Sequence, residues 1–333
     1  MVDPRARARL ARDHAALVGA GVVGALVVFV LVGPLLTRHG PLESDFVRGV
    51  SPTGMPVGPS AEFPLGTDRM FRDVLARLAC AGRLSLLIAV AATSIATAVG
   101  TAVGIVSGWY EGARVRMPWP AILGAAAGIV ALALGRAAVG AIALIAAIVA
   151  IFGKRFAGPR VDLDALLMRA VDVMLAFPFI LLVMAIGAAI DRTSTGTILV
   201  TLGITGWLGI ARVLRAKTIQ VRSLDYVEAS RALGQSTGGV MLNHVLPNIA
   251  GPLIVTATVQ VAQMIVADSV LSYLGLGISP PTPTWGRMLF EGQDYYVTAP
   301  WMVAAPAAAI LLAVWGFNML GEGLRDALDP NEA

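Results

Sequence analysis

Residues 225–248 read DYVEASRALGQSTGGVMLNHVLPN and place acids, hydroxyls, an imidazole and helix breakers at spacings that suit docking rather than catalysis. Asp225 and Glu228 stand three apart, so Asp-x-x-Glu reads as a capping box that opens a helix. Gly234 stands where that helix ends, because glycine readily takes the left-handed conformation of a helix C-terminus. Ser236 or Thr237 can cap a second short helix, and Pro247 stops it before the next apolar run. The expected result is a helix–turn–helix knob whose first helix offers Tyr226, Ala229, Ala232 and Leu233 along one side, with Arg222 and Arg231 nearby. Small side chains let a partner's backbone approach and flanking charges set its orientation. A passive linker would need neither two caps nor a hinge.

Other polar residues carry weaker signals. Asp268 and Asp172 fall within or at the ends of apolar runs, where acids often have functional roles. Asp268 precedes the turn-rich LGLG and reads either as a pathway-lining group or as the partner of an outer arginine. Asp172, near a cytoplasmic end, reads as reaching water or pairing with Arg169, with a pathway role as the weaker alternative. Pro178 should kink its helix and is the second pathway-lining candidate. The three histidines, His14, His39 and His244, show no helical pairing, so no metal site is expected and His244 is assigned to packing within the knob. No Walker-type phosphate loop appears. The chain is therefore expected to bind no cofactor of its own and to draw its energy from elsewhere. No catalytic residue is assigned: a membrane enzyme would need a clustered nucleophile, base or metal. An ion-driven secondary transporter would want more buried acids or broken helices at mid-membrane.

The elements that hold these residues are written in the composition. The chain has 333 residues, 57% hydrophobic and 14% charged, with a net charge of +4. A soluble domain carries about 25% charged residues, so too little polar surface remains for a water-facing globule. Apolar runs long enough to cross a ~30 Å hydrocarbon core recur, without the strict alternation of a β-barrel. The positive balance reads as cytoplasmic loops that set orientation, not as a nucleic-acid surface. The single cysteine, Cys80, excludes an internal disulfide.

The chain divides into a cytoplasmic segment with the first membrane helix (1–37), an external segment (38–83), a second membrane helix (84–111) and an inserted apolar hairpin (112–161). Two membrane helices (162–219), the knob (220–247) and the last two membrane helices with an outer loop and cytoplasmic tail (248–333) follow. Thr67 or Asp68 should cap a short amphipathic helix that leads into the second span. Gly100, Gly104 and Gly108, four apart, should bare one face of that span to another backbone. The basic stretches at 112–118 and 153–160 should both be cytoplasmic, which makes the apolar run between them a hairpin turning near Arg136.

The spacing Glu228-Ala229-Ser230, then Gly234, then Leu246-Pro247 resembles the EAA motif of bacterial ATP-binding-cassette importer permeases. In that family the motif forms coupling helices seated in clefts of the ATPase subunits. The ending NHVLPN, with His244, is similar to the peptide-importer branch. PSAEFPLGTDRMFRDVLARL, RAVDVMLAFP, DSVLSYLGLGISPPTPTWGRML and GLRDALDP resemble the C-type subunit of dipeptide and oligopeptide importers, in family order over most of 60–330.

The resemblance implies an all-α integral membrane protein with the type I importer permease fold, six core transmembrane helices and an extra helical hairpin. It implies a bacterial plasma membrane location with both termini cytoplasmic. The implied partners are a second homologous permease subunit, two cytoplasmic ATP-binding subunits and an extracellular or periplasmic peptide-binding protein, all acting in a lipid bilayer. ATP would act through those partner subunits. The implied cargo is di- or oligopeptides, with nickel complexes, glutathione or other small solutes carried by close relatives. The implied ATPase-coupling residues are Asp225, Tyr226, Glu228, Ala229, Ser230, Gly234, His244, Leu246 and Pro247. Four residues depart from the family pattern: Phe71 for the usual Gly, Ser230 for the second Ala, Asp268 for Glu, and Glu322 for Asp. The insert is the larger departure.

Overall fold

The computed structural model describes residues 9–37, 39–116, 160–189 and 194–328, together with residues 123, 124, 127, 128, 142, 143 and 146. The hairpin turn expected near Arg136 lies outside them.

Helix α1, His14–Leu36, opens where the Asp13 carboxylate accepts from the Ala16 backbone N–H at 2.8 Å. The segment from 39 to 73 then forms turns and isolated bridges, as its repeated Pro and Gly require. Within it the backbone N–H groups of Arg48 and Val47 hold the Asp45 carboxyl below its ordinary value.

Helix α2 spans Val74–Trp109 without interruption. The expected cap at Thr67 or Asp68 is therefore corrected. Asp73 caps the helix instead, accepting from the N–H groups of Leu75 and Ala76, and the amphipathic stretch and the span are one rod. Thr67 and Asp68 are used differently. The Thr67 hydroxyl donates to the Gly49 carbonyl at 2.8 Å, and Asp68 accepts from the Met70 and Arg72 backbone.

Strands β1, Arg114–Arg116, and β2, Arg160–Asp162, pair antiparallel with Arg114 opposite Asp162. The two basic ends of the insert thus meet, as a hairpin needs. Helix α3, Leu163–Leu175, and helix α4, Phe179–Ala189, follow. The expected kink at Pro178 is a full break: the two helices meet at 89°. Proline has no N–H to donate, and its ring would collide with the carbonyl four residues earlier.

Helix α5, Thr195–Thr205, and helix α6, Leu208–Arg222, continue one another as a single apolar span of 28 residues. Helices α7, Asp225–Ala232, and α8, Thr237–Val240, form the knob. A π-helical turn, Met241–Val245, and the short α9, Leu246–Asn248, lead from it to α10, Ala250–Tyr273. The turn-rich stretch that follows holds a helix, α11, Trp285–Gly292, opened by the Thr284 side chain. Helix α12, Trp301–Leu328, is last.

Among the described residues, five helices are long and apolar enough to cross a membrane, or six when the broken pair α3 and α4 counts as one span. The all-α membrane fold stands, with the short β-ribbon as an addition. Two apolar cores hold it. The larger joins Ile88, Leu202, Met264, Ile265 and Trp285; the smaller, beside the knob, joins Ile210, Leu214, Val227, Val240, Val245 and Ile249.

Gly100, Gly104 and Gly108 bring α2 against α6 as their spacing requires. A methyl group on each would stand 2.8 Å from the Ile210 side chain, 2.8 Å from the Ala211 carbonyl and 2.7 Å from the Arg215 carbonyl, respectively. Without a hydrophobic force between helices in lipid, such backbone approach is what holds them.

Candidate functional site

The knob is built from α7 outward. Leu224 takes the extended cap conformation and α7 begins at Asp225, so the Asp225–Glu228 capping box is corrected: no side chain caps this helix. The two acids sit in its first turn, where they favour the exposed N–H groups electrostatically. Val227 is fully buried in the smaller core, while Tyr226, Ala229, Ala232 and Leu233 are exposed. The leucine, 89% exposed, is a large apolar side chain left for something else to cover.

Gly234 ends the helix at φ +85°. The N–H of Gln235 reaches the Ser230 carbonyl at 3.2 Å and that of Gly234 reaches Arg231 at 3.0 Å, the paired bonds of a Schellman motif. Ser236 then caps α8 by accepting from the Gly239 N–H.

Three side chains tie the two helices across this hinge. The Gln235 side-chain oxygen accepts from the Ser230 hydroxyl and stands 2.9 Å from His244 Nε2, with the Ser230 oxygen 3.3 Å from the same nitrogen. The Tyr226 ring lies 6.2 Å from the imidazole. His244 therefore packs within the knob, and Ser230 has hydrogen-bond partners that an alanine there would lack.

Pro247 does not stop the second helix. It occupies the first turn of α9, and the chain upstream widens into a π-turn in which the Leu246 N–H reaches back to Met241. The wider turn relieves the crowding that proline imposes on the preceding carbonyls. The Asn248 amide donates to the His244 carbonyl at 2.6 Å.

The knob is fixed to the spans by residues that spacing does not reveal. Arg222 donates to the carbonyls of Gly108, Trp109 and Glu111, each at 3.0 Å, and pairs with the Glu111 carboxylate. It thereby satisfies the carbonyls at the end of α2. Arg231 lies over the Trp109 ring at 5.4 Å. Glu228 and Arg231 border a cleft of about 600 Å³ with Glu111 and Arg222. Alongside, Arg215 forks onto Asp164 at 2.6 and 2.5 Å, and the Ser107 hydroxyl donates to the same carboxylate. These contacts lock α2, α3 and α6 together directly beside the knob.

The other predicted residues lie elsewhere. Asp268 is fully buried inside α10, where Ser85 of α2 is set against its carboxyl group, and among the described residues it forms no ion pair with an arginine. Pairing with an outer arginine is thus corrected: Arg72, Arg77 and Arg287 are held by Asp68 and Glu291 instead. Asp172 pairs with Arg212 of α6, not with Arg169. Pro178 is exposed at the break between α3 and α4.

At the end away from the knob lies a buried ionic cluster absent from the sequence reading. Arg72 and Arg77 share Asp68, at 2.7 and 2.9 Å, and Glu291, at 3.1 and 2.8 Å, and Arg287 joins Glu291 at 3.3 Å. Trp285 is wholly buried beside it and donates its indole N–H to the Leu78 carbonyl at 3.1 Å.

Comparison with known proteins matches residues 142–332 to the family described as binding-protein-dependent transport system inner membrane component, and residues 5–48 to the N-terminal TM domain of oligopeptide transport permease C. The dipeptide transport system permease protein DppC of Alkalihalophilus pseudofirmus is 32% identical over 97% of this chain and 88% of its own length. The oligopeptide transport system permease protein OppC of Escherichia coli is 30% identical over 98% of this chain and 90% of its own. The di/tripeptide transport system permease protein DppC of Pseudomonas aeruginosa is 34% identical over 92% and 84%.

Proposed function

The chain belongs to the family of binding-protein-dependent transport system inner membrane components, and from that premise we propose that it forms half of the pathway of an ATP-driven importer for di- or oligopeptides. A second, homologous permease supplies the other half. Two cytoplasmic ATP-binding subunits engage the knob, and an external peptide-binding protein delivers cargo at the far end. The knob end, with its basic neighbours, faces the cytoplasm of a bacterial inner membrane, as do both termini. The chain itself carries out no catalysis and holds no cofactor; ATP acts through the partner subunits. Peptide cargo is supported by the relatives, which are dipeptide, oligopeptide and di/tripeptide permeases.

One observation carries the coupling role: a hinged pair of capped helices is fastened rigidly to three spans yet leaves its outer face uncovered. Val227, Arg222 and the Ser230–Gln235–His244 cluster fix it from within. Tyr226 at 44% and Leu233 at 89% exposure remain for a partner. A stiff connector of this kind can pass a two-state movement from a closing ATPase pair to the membrane helices.

The test uses the complete importer reconstituted in lipid. Glu228→Lys reverses an exposed charge, and Gly234→Val forces a branched side chain into a positive φ, which costs roughly 1–2 kcal/mol or more. Each should lower peptide uptake per ATP hydrolysed by roughly tenfold, the equivalent of about 1.4 kcal/mol of lost contact, with the chain still in the membrane. Unchanged coupling in both variants would sink the proposal.

A further inference from the structure

Asp172 and Arg212 form an ion pair whose side chains are 60% and 50% exposed. Their depth makes that exposure informative. Asp164, eight residues earlier on α3, is bound to Ser107, two residues before the end of α2. Asp172 is roughly 12 Å further along α3 at 1.5 Å per residue. Arg212 lies between Ile210, which packs on Gly100, and Leu214, which packs on Gly104. That places it roughly 7–13 Å inside Trp109 by the same rise. Trp109 is the kind of residue that marks a membrane–water boundary. Half-exposed charges at this depth do not face lipid; they face a polar pathway or another protein surface.

The pair is not needed to clamp α3 to α6. Asp164 and Arg215 already do so one level nearer the knob, with side chains only 8% and 28% exposed. The surface around Arg212 is also open. Gly209, one turn away, has nothing within 4 Å of where a Cβ would stand, and Ala216, one turn on, is exposed. A small-residue face with a guanidinium and a carboxylate at its centre leaves room for a main chain to pass.

We infer that Asp172 and Arg212 form a transit site on the translocation pathway for zwitterionic peptides, Asp172 receiving the terminal ammonium and Arg212 the terminal carboxylate. The inference rests on the peptide-importer reading above and adds a site to it. A guanidinium presents two parallel N–H groups to a carboxylate, and a carboxylate accepts from an ammonium. When the site is empty the two groups neutralise each other; when a peptide arrives each exchanges its partner for a terminus of the same charge. No net charge is stranded in the membrane at either stage.

The experiment uses the complete importer in proteoliposomes. Cys80 is the single cysteine of this chain, so Cys80→Ser gives a background in which Gly209→Cys, Ala216→Cys and Val28→Cys are each its sole thiol, with Asp172 and Arg212 intact. Val28, 59% exposed in the middle of α1, is the comparator. A membrane-impermeant methanethiosulfonate is applied from the knob side, with and without L-alanyl-L-alanine. Modification at 209 and 216 should be roughly tenfold faster than at 28, because a charged reagent reaches a thiol through water and not through lipid. Alanyl-alanine should slow it, and its N-acetylated, C-amidated form should not. Rates at 209 and 216 no faster than at 28 would overturn the site. Fast modification without protection, or equal protection by the blocked peptide, would overturn its ligand. Failure of the unaltered complex to take up labelled dipeptide would overturn the cargo reading separately, since accessibility of the two thiols does not depend on cargo.

Discussion

Phe71 is, among the described residues, the non-glycine residue with a positive φ, at 58°. A β-carbon in that region costs roughly 1–2 kcal/mol. What holds the residue there is local. Its N–H donates to the Asp68 carbonyl at 2.8 Å, its carbonyl accepts from Asp45 at 3.0 Å, and its ring meets Phe46 edge-on at 5.6 Å. The two opposing effects can be separated by two substitutions. Phe71→Ala loses the ring contact and keeps the strained backbone; Phe71→Gly loses the same contact and removes the strain. The glycine variant should therefore be the more stable of the two by about 1 kcal/mol. Thermal melting of the purified complex measures the order, and an alanine variant equal to or above the glycine variant would refute the strain. The resemblance led to an expectation of glycine at 71, but the φ that makes glycine favourable there was not legible in the sequence. Ser230 shows the reverse. Its departure from alanine was visible, and its hydrogen-bond partners Gln235 and His244 required the folded hinge.

The α2–α6 pair shows what an element's own periodicity can reveal. Three glycines at intervals of four must share one helix face, so their burial against another backbone was readable before any partner was known. The partner was not, since nothing in the spacing of 100, 104 and 108 points to Ile210, Leu214 and Thr218. The ion pairs Asp164–Arg215 and Arg222–Glu111 were unreadable for the same reason: they join residues separated by dozens to more than a hundred positions. Local signals also failed where neighbouring structure overrode them. Asp225 has the right spacing for a cap, yet Leu224 takes that place. Pro178 reads as a kink, yet with little of α3 and α4 buried beside it the span breaks outright. At the glycine ladder the consequence is testable. In Gly104→Val the first added carbon would stand 2.8 Å from the Ala211 backbone oxygen, which cannot swing aside. Overpacking of this kind costs roughly 1–3 kcal/mol. The variant complex should melt several degrees below the parent, whereas Gly21→Ala, with open space around it, should not. Equal melting of the two variants would mean that the helices do not pack as described.

Helix α2 runs from the buried ionic cluster to the knob. At the knob end it is held by Arg222 and by its glycine ladder; at the far end Arg77, only 1% exposed, ties its first turns to Glu291 of α11. One continuous helix thus joins the surface proposed to meet the ATPases to the surface proposed to meet the binding protein. A rod fastened at both ends passes movement either way, and each fastening must have two discrete arrangements for the movement to act as a switch. Glu291 is the weakest place to lose a charge, because Arg72, Arg77 and Arg287 all lean on it. Glu291→Gln keeps the shape and strands those cations with Asp68 as their remaining carboxylate in the cluster. Removing one member of a buried ion pair costs roughly 3–5 kcal/mol, so the complex should melt lower, and added salt should rescue little, since buried pairs are poorly screened. The functional consequence separates a rod from a mere brace. With α11 released from α2, loaded binding protein at the far end should no longer raise ATP hydrolysis at the knob end, even in membranes cool enough to keep the variant folded. If a folded Glu291→Gln complex still answers the binding protein with the parent's full stimulation, the signal travels by another helix.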